Sequence, residues 1–127
     1  MNMSFSLGAR QVRLGQKDVT RRLGWKNLKP GQRFWAIEKG QGLKKGQHVK
    51  RICECECVSN TPEPLDEIIQ RSYRGVGQRP GIAGLTHSEA WREGFWGLGA
   101  AGFVVLFCKH MRVNPRTIVN RIEFRRI

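Results

Sequence analysis

Acidic residues are scarce in this chain: 10 Asp and Glu stand against 23 Lys and Arg, a formal net charge of +13 over 127 residues. A field of that sign says nothing about fold, but it concentrates polyanions around the molecule. Long apolar runs are missing as well. The longest is Ala100–Cys108, "AAGFVVLFC", far below the ~20 residues of a membrane-spanning helix. The opening "MNMSFSLGARQVR" has no apolar core of the kind a secretory signal needs. A cytoplasmic protein without membrane partners is therefore expected. The chain suits one compact domain, residues 1–127, and a monomer is expected.

No CxxC spacing occurs among the four cysteines, Cys53, Cys55, Cys57 and Cys108. Cys53, Cys55 and Cys57 alternate with Glu54 and Glu56, so in a strand the three sulfurs share one face. A buried strand face is the favoured reading, because free cysteine packs as a small hydrophobe. The rival is a thiolate metal site completed by Cys108 or His110, and neighbours along a straight strand do not form a tetrahedron. Neither a metal nor another cofactor is expected.

What is present is a succession of short elements. "MSFS" reads as a first strand and "ARQVRLG" as a helical turn stopped by Gly15. "RFWAIEK" alternates and reads as a strand; "GQGLKKGQH" is a basic glycine-rich loop; "VKRICECECVSN" is the strongest strand, ended by Thr61-Pro62-Glu63-Pro64. "PLDEIIQ" is a short helix. Residues 71–84 form a basic loop whose glycines, Gly75, Gly77 and Gly81, lack phosphate-loop spacing. Thr86-His87-Ser88-Glu89 fits a capping box that starts a helix through Trp91 and Glu93. Phe103, Leu106 and Phe107 mark a second helix broken at Asn114-Pro115, and "TIVNRIEFRRI" closes the chain as a strand. The order implies an α+β fold, a small mixed barrel or sheet with helices at its ends.

One stretch stands out, "QKDVTRRLGW", residues 16–25. It is either a solvated basic turn or a pocket for an anionic, aromatic ligand. Residues 1–60 carry 13 Lys and Arg against 4 acids, and residues 61–127 carry 10 against 6. The excess near this stretch favours RNA or single-stranded DNA. Arg21, Arg22, Lys26, Lys29, Lys39, Lys44 and Lys45 are candidates to hold phosphates, with Arg74 and Arg79 from the 71–84 loop. Trp25 and Trp96, each beside a glycine, are candidate stacking platforms, whereas Trp35 and Trp91 read as packed inside.

At "GQKDVTRR" the sequence resembles the ASCH family, whose signature is a glycine, a lysine, a threonine three residues on and then an arginine. Gly15, Lys17, Thr20 and Arg21 fit it. "LKPGQRFWAIEKG", "GLKKG", "REGFWG", "FVVLFCKHM" and "TIVNRIEF" extend the likeness over most of the chain except 71–84. The resemblance implies a PUA-like β-barrel flanked by helices, and binding of RNA or a modified nucleobase. Some small bacterial members are amidohydrolases acting on N4-acetylcytidine. Carried over by position, their lysine, threonine and glutamate are Lys17, Thr20 and Glu93. In that reading Thr20 supplies the nucleophile, Lys17 its base, and Glu93 the proton for the leaving amine. The plain alternative is a Lys17–Glu93 ion pair with Thr20 capping a turn. Asp18 stands where many members have threonine, and a pairing with Lys17 or Arg21 is expected. A third class is a regulatory protein-interaction module using the 71–84 loop.

Overall fold

The structure is a computed structural model. It describes residues 1–5, 8–38, 46, 48–74, 79–80, 86–87, 89–94 and 99–127; of 72–74, 79, 80, 86, 87, 90 and 91 it describes the backbone alone. The elements run β1 (Asn2–Ser4), α1 (Ala9–Arg13), β2 (Val19–Arg22), β3 (Arg33–Ile37), β4 (Arg51–Pro64), α2 (Glu67–Arg74), β5 (Arg79–Pro80), β6 (Thr86–His87), α3 (Glu89–Arg92), α4 (Gly99–Met111) and β7 (Ile118–Arg126). Five strands form one mixed sheet in the order β1-β3-β4-β7-β2, and β5 pairs with β6 separately. β1 runs parallel to β3, and the remaining pairings in the sheet are antiparallel. The α+β class expected from the order of elements is what forms.

Side-chain alternation divides the work of the two sheet faces. On β7, Ile122 and Phe124 enter a core with Met3, Phe5, Phe34 and the buried Cys53, Cys55 and Cys57. Phe34 meets Phe124 edge-on with ring centroids 5.8 Å apart, and Phe5 meets Phe124 at 5.6 Å. Each such pair adds about 0.5–1.5 kcal/mol beyond burial of its area. The cysteine face is thus a packed core face, with Cys53 Sγ and Cys55 Sγ 3.6 Å apart. Burial, then Cys53, pushes the Cys55 thiol up to about 12. Val119, Arg121 and Glu123, which alternate with them on β7, face the opposite way. Val119 joins Leu65, Ile68, Phe103 and Val104 in a second core under α2 and α4. Phe103, from the apolar stripe read in the sequence, is buried there, with Phe107 packed at its edge.

Several expectations are corrected. β4 does not stop at Asn60 but continues through Pro62 and Pro64, paired with β7. Beyond Glu56 it has no β3 partner. Leu65 N donates to Thr117 O at 2.9 Å, so the odd-numbered residues at this end face β7. Pro62 and Pro64 then point their missing N–H groups toward the unpaired side, where a strand tolerates proline. The stretch read as either a basic turn or a ligand pocket contains a strand, β2, at the sheet edge. Residues 71–74, read as loop, continue α2. Thr86 does not cap a helix: it pairs with Pro80, and α3 begins at Glu89. No helix among the described residues is long and apolar enough to cross a membrane.

Candidate functional site

β2 brings the conspicuous stretch against the turn that follows α3. Lys17 Nζ donates to Glu93 Oε1 at 2.9 Å, to Glu93 O at 2.6 Å and to Val19 O at 2.9 Å. The lysine stem lies beside Gly8 and Gly94, where an added Cβ would stand 3.2 Å and 3.6 Å from it. Gly94 also has φ +93°, and its Cβ would come 3.1 Å from Gln11 Cβ. A glycine after Glu93 is therefore what lets α1, Lys17 and the Glu93 turn approach.

Arg21 is a hub rather than a surface cation. Its guanidinium, with no exposed side-chain area, donates to Glu93 Oε2 at 2.7 Å, Glu89 Oε1 at 2.8 Å and Glu63 Oε1 at 3.1 Å. Arg71 reaches Glu63 from α2 at 2.9 Å, and Arg121 of β7 binds Glu89. Arg21 and Arg121 sit opposite each other on β2 and β7. Like charges there would repel, and the shared Glu89 carboxylate is what makes the pairing tolerable. Asp18, which the sequence offered as a partner for Lys17 or Arg21, turns toward α3. It accepts from Arg92 of α3 at 3.0 Å, and Arg92 also binds Glu123.

Thr20 follows the other face of β2. Its hydroxyl accepts from Arg22 Nε at 3.1 Å. Arg22 itself donates to Ser4 O and lies over the Phe5 ring, 4.7 Å from its centroid. Thr20 is buried within β2, so it caps no turn.

Burial sets the charge balance of the cluster. It pulls the Lys17 ammonium below the ordinary lysine value; Glu93 opposes this, and Arg22 and Arg21 add to it. Burial also lowers Arg22. For Arg21, burial is outweighed by Glu93, Glu89 and Glu63, and the guanidinium is held above its usual value. Burial pushes Glu89 up, but Arg121 and Arg21 outweigh it and hold the carboxyl low. At least nine of the ten acidic side chains are engaged in ion pairs. The positive excess is left to surface residues such as Lys26, Lys29 and Lys50.

A second feature lies where β2 ends. Residues 23–28 turn back over the core with Trp25 at φ 70°. A bulky residue there costs about 1–3 kcal/mol and persists only where its surroundings impose it. They do: Asn60 Nδ2 donates to Trp25 O and Leu28 O, both at 2.8 Å, and Asn120 Nδ2 donates to Gly24 O at 2.7 Å. The Trp25 ring packs on Phe34, centroids 6.4 Å apart. A cleft of about 650 Å³ opens beside it, lined by Met1, Leu23, Gly24, Trp25, Lys26, Asn27, Leu28 and Gln32.

The sequence candidates thus separate into groups. Lys17, Glu93 and Arg21 are in direct contact, and Thr20 is bound to Arg22 on the neighbouring face. Trp25 and Lys26 belong to the cleft. Lys39, Lys44, Lys45 and Trp96, and the side chains of Arg74, Arg79 and Trp91, lie outside the described residues. Trp35 is half-buried beneath the Arg51 guanidinium, 4.6 Å from its ring centroid. Glu63, Glu89, Arg92 and Arg121 were not singled out from sequence; the alternation of "RIEF", which puts Arg121 and Glu123 on one face, is the signal that could have found Arg121. Among the described residues no group of three or more His, Cys, Asp or Glu could hold a metal ion. Compared with family models, with curated proteins and with solved structures, the chain matches none.

Proposed function

We propose that this chain is an ASCH-like domain, with that family's PUA-like barrel, that binds RNA, single-stranded DNA or a modified nucleobase. The observation that carries the reading is the Lys17–Glu93 pair. Lys17, a position of the ASCH signature, and Glu93, the position matched to the glutamate of the family's amidohydrolases, are 76 residues apart in sequence, hydrogen-bonded and buried together. Thr20 is linked to them through Arg22, whose charge acts on Lys17 and feels Glu93. The net charge of +13, with exposed cations such as Lys26, Lys29 and Lys50, supports a polyanionic partner.

Binding is favoured over hydrolysis by the protons on Lys17. An ammonium has three donors and no acceptor, and Lys17 Nζ makes three donated bonds, to Val19 O, Glu93 O and Glu93 Oε1. A general base needs a lone pair instead.

The second reading, an N4-acetylcytidine amidohydrolase, has its own support. Desolvation lowers Lys17 toward the neutral amine, and Arg22 at the Thr20 hydroxyl would stabilise an alkoxide. In that chemistry Thr20 Oγ1 would pass its proton to a neutral Lys17 and form the acyl bond, the C–N bond to cytidine would break as that proton is relayed through Glu93 to the leaving amine, and water would cleave the ester to release acetate and restore the hydroxyl. Incubation with N4-acetylcytidine, followed by chromatography and by calorimetric titration, separates the readings. Heat of binding without product supports a binding site. Cytidine with equimolar acetate supports the enzyme. No binding of nucleoside or strand, with no product, removes both.

A further inference from the structure

The Trp25 cleft sits beyond the end of β2, the strand that carries Thr20, Arg21 and Arg22. From Thr20 to Leu23 the chain can advance only ~10 Å, at about 3.3 Å per strand residue. A ligand longer than one nucleotide at the β2 edge could therefore extend toward the cleft. The cleft is built before any ligand arrives. Asn60 and Asn120 fix the backbone of residues 24–28, and Phe34 supports the Trp25 ring from the core side. Its volume, about 650 Å³, is in the range of small-molecule sites.

The lining suits one kind of occupant. Trp25 offers a large flat ring, and Leu23 and Met1 are exposed apolar side chains beside it. Asn27 and Gln32 bring amide groups, which can both donate to and accept from the edge of a heterocycle. Lys26 is exposed, and no carboxylate lines the cleft among the described residues. An aromatic floor, amides at the side and a cation at the mouth match a base and its phosphate. A solvated loop would not need its tryptophan held at positive φ by two asparagines from β4 and β7.

We propose that this cleft is a second nucleotide subsite, in which Trp25 stacks on an unpaired base of a single strand and Lys26 meets its phosphate. The proposal rests on the nucleic-acid reading given above. It adds a base-selective contact away from the Lys17–Glu93 pair, so a strand is gripped by stacking as well as by charge.

The test uses fluorescence anisotropy with the full chain and two dye-labelled probes, a twelve-nucleotide oligothymidylate and an abasic strand of equal length. The unmodified protein should bind the oligothymidylate roughly ten- to a hundred-fold more tightly than the abasic strand, as removal of one stacked base predicts. Trp25→Ala keeps the positive-φ strain while removing the ring. It should lose that preference and retain abasic binding, and Trp25→Phe should restore part of it. A preference unchanged in folded Trp25→Ala overturns the proposal. So does an equal loss on both strands. Should Trp25→Ala not fold, the Trp25 indole N–H resonance of the unmodified protein decides, assigned by comparison with Trp25→Phe: it shifts with oligothymidylate and not with the abasic strand. A silent resonance overturns the proposal. If the unmodified protein binds strands but Trp25 is indifferent, only this subsite fails. If it binds neither strand at low salt, the nucleic-acid reading fails with it.

Discussion

Lys17 and Glu93, 76 residues apart, are joined twice, through the carboxylate at 2.9 Å and through the main-chain carbonyl at 2.6 Å. The carbonyl bond ties the lysine to the backbone of the turn, not only to a side chain that can swing away. Glu93→Gln should therefore leave Lys17 in place while removing its charge partner. If the site is enzymatic, Glu93→Gln should bind N4-acetylcytidine and release cytidine slowly, and Thr20→Ala should release none while staying folded. If the site only binds, Thr20→Ala changes no turnover, and Lys17→Ala weakens nucleoside affinity. Parallel calorimetry and chromatography on the three variants distinguish these outcomes.

Arg21 should be the most costly single charge to remove. Its guanidinium serves Glu63, Glu89 and Glu93 with no solvent to replace it. Removing one partner of a buried pair leaves uncompensated charge and costs about 3–5 kcal/mol. Arg33, paired with Glu54 at 3.5 Å and largely exposed, is the control; its loss should cost less than about 1 kcal/mol. Urea unfolding of Arg21→Ala and Arg33→Ala measures the difference, and equal midpoints would contradict the hub.

These two arginines show what a sequence can and cannot disclose here. The cysteine face of β4 and the Phe103 stripe of α4 were legible, because burial repeats at the period of the element. The Lys17–Glu93 pairing was legible only through the ASCH resemblance. β2 was not legible. "VTRR" suggests a basic turn or a ligand pocket and no strand, because the carboxylates that neutralise Arg21 lie 42 to 72 residues away. Nor was the tail of β4, since Pro62 and Pro64 signal a break unless the missing neighbour on one side is known. Glu63, between those prolines, reads in the sequence only as part of the strand's end and is a buried ligand of two arginines.

Acid should unfold the protein through Glu89 in a defined window. Burial raises its pKa, and Arg121 and Arg21 outweigh that, leaving it below the ordinary value of 4.5. The folded state then binds fewer protons than the unfolded chain just below that value. Its contribution is complete above the ordinary carboxylate range and is lost as pH falls through the depressed pKa. Urea midpoints from pH 6 down to pH 3 should fall more steeply in the unmodified protein than in Glu89→Gln. Parallel curves would rule Glu89 out as a source of acid sensitivity.

Gly94→Ala should destabilise the fold by about 1–3 kcal/mol. The backbone is at φ +93°, and the new Cβ would meet Gln11 Cβ at 3.1 Å. Gly31, at φ +89° with no heavy atom near its Cβ position, carries the conformational cost alone. Thermal melts of the two alanine variants should therefore rank Gly94→Ala as the more damaging. The reverse order would contradict the close approach of α1 to the Glu93 turn.

On the function proposed above, the surface positive charge engages a single-stranded nucleic acid. That engagement is tested most directly by the salt dependence of binding to a labelled single-stranded RNA. With at least nine of ten acids tied up in ion pairs and a net charge of +13, several phosphates should be neutralised on binding. The logarithm of the association constant should then fall linearly with the logarithm of salt concentration, by about 0.7 per phosphate contact. A flat response, or no binding at low salt, would contradict the account.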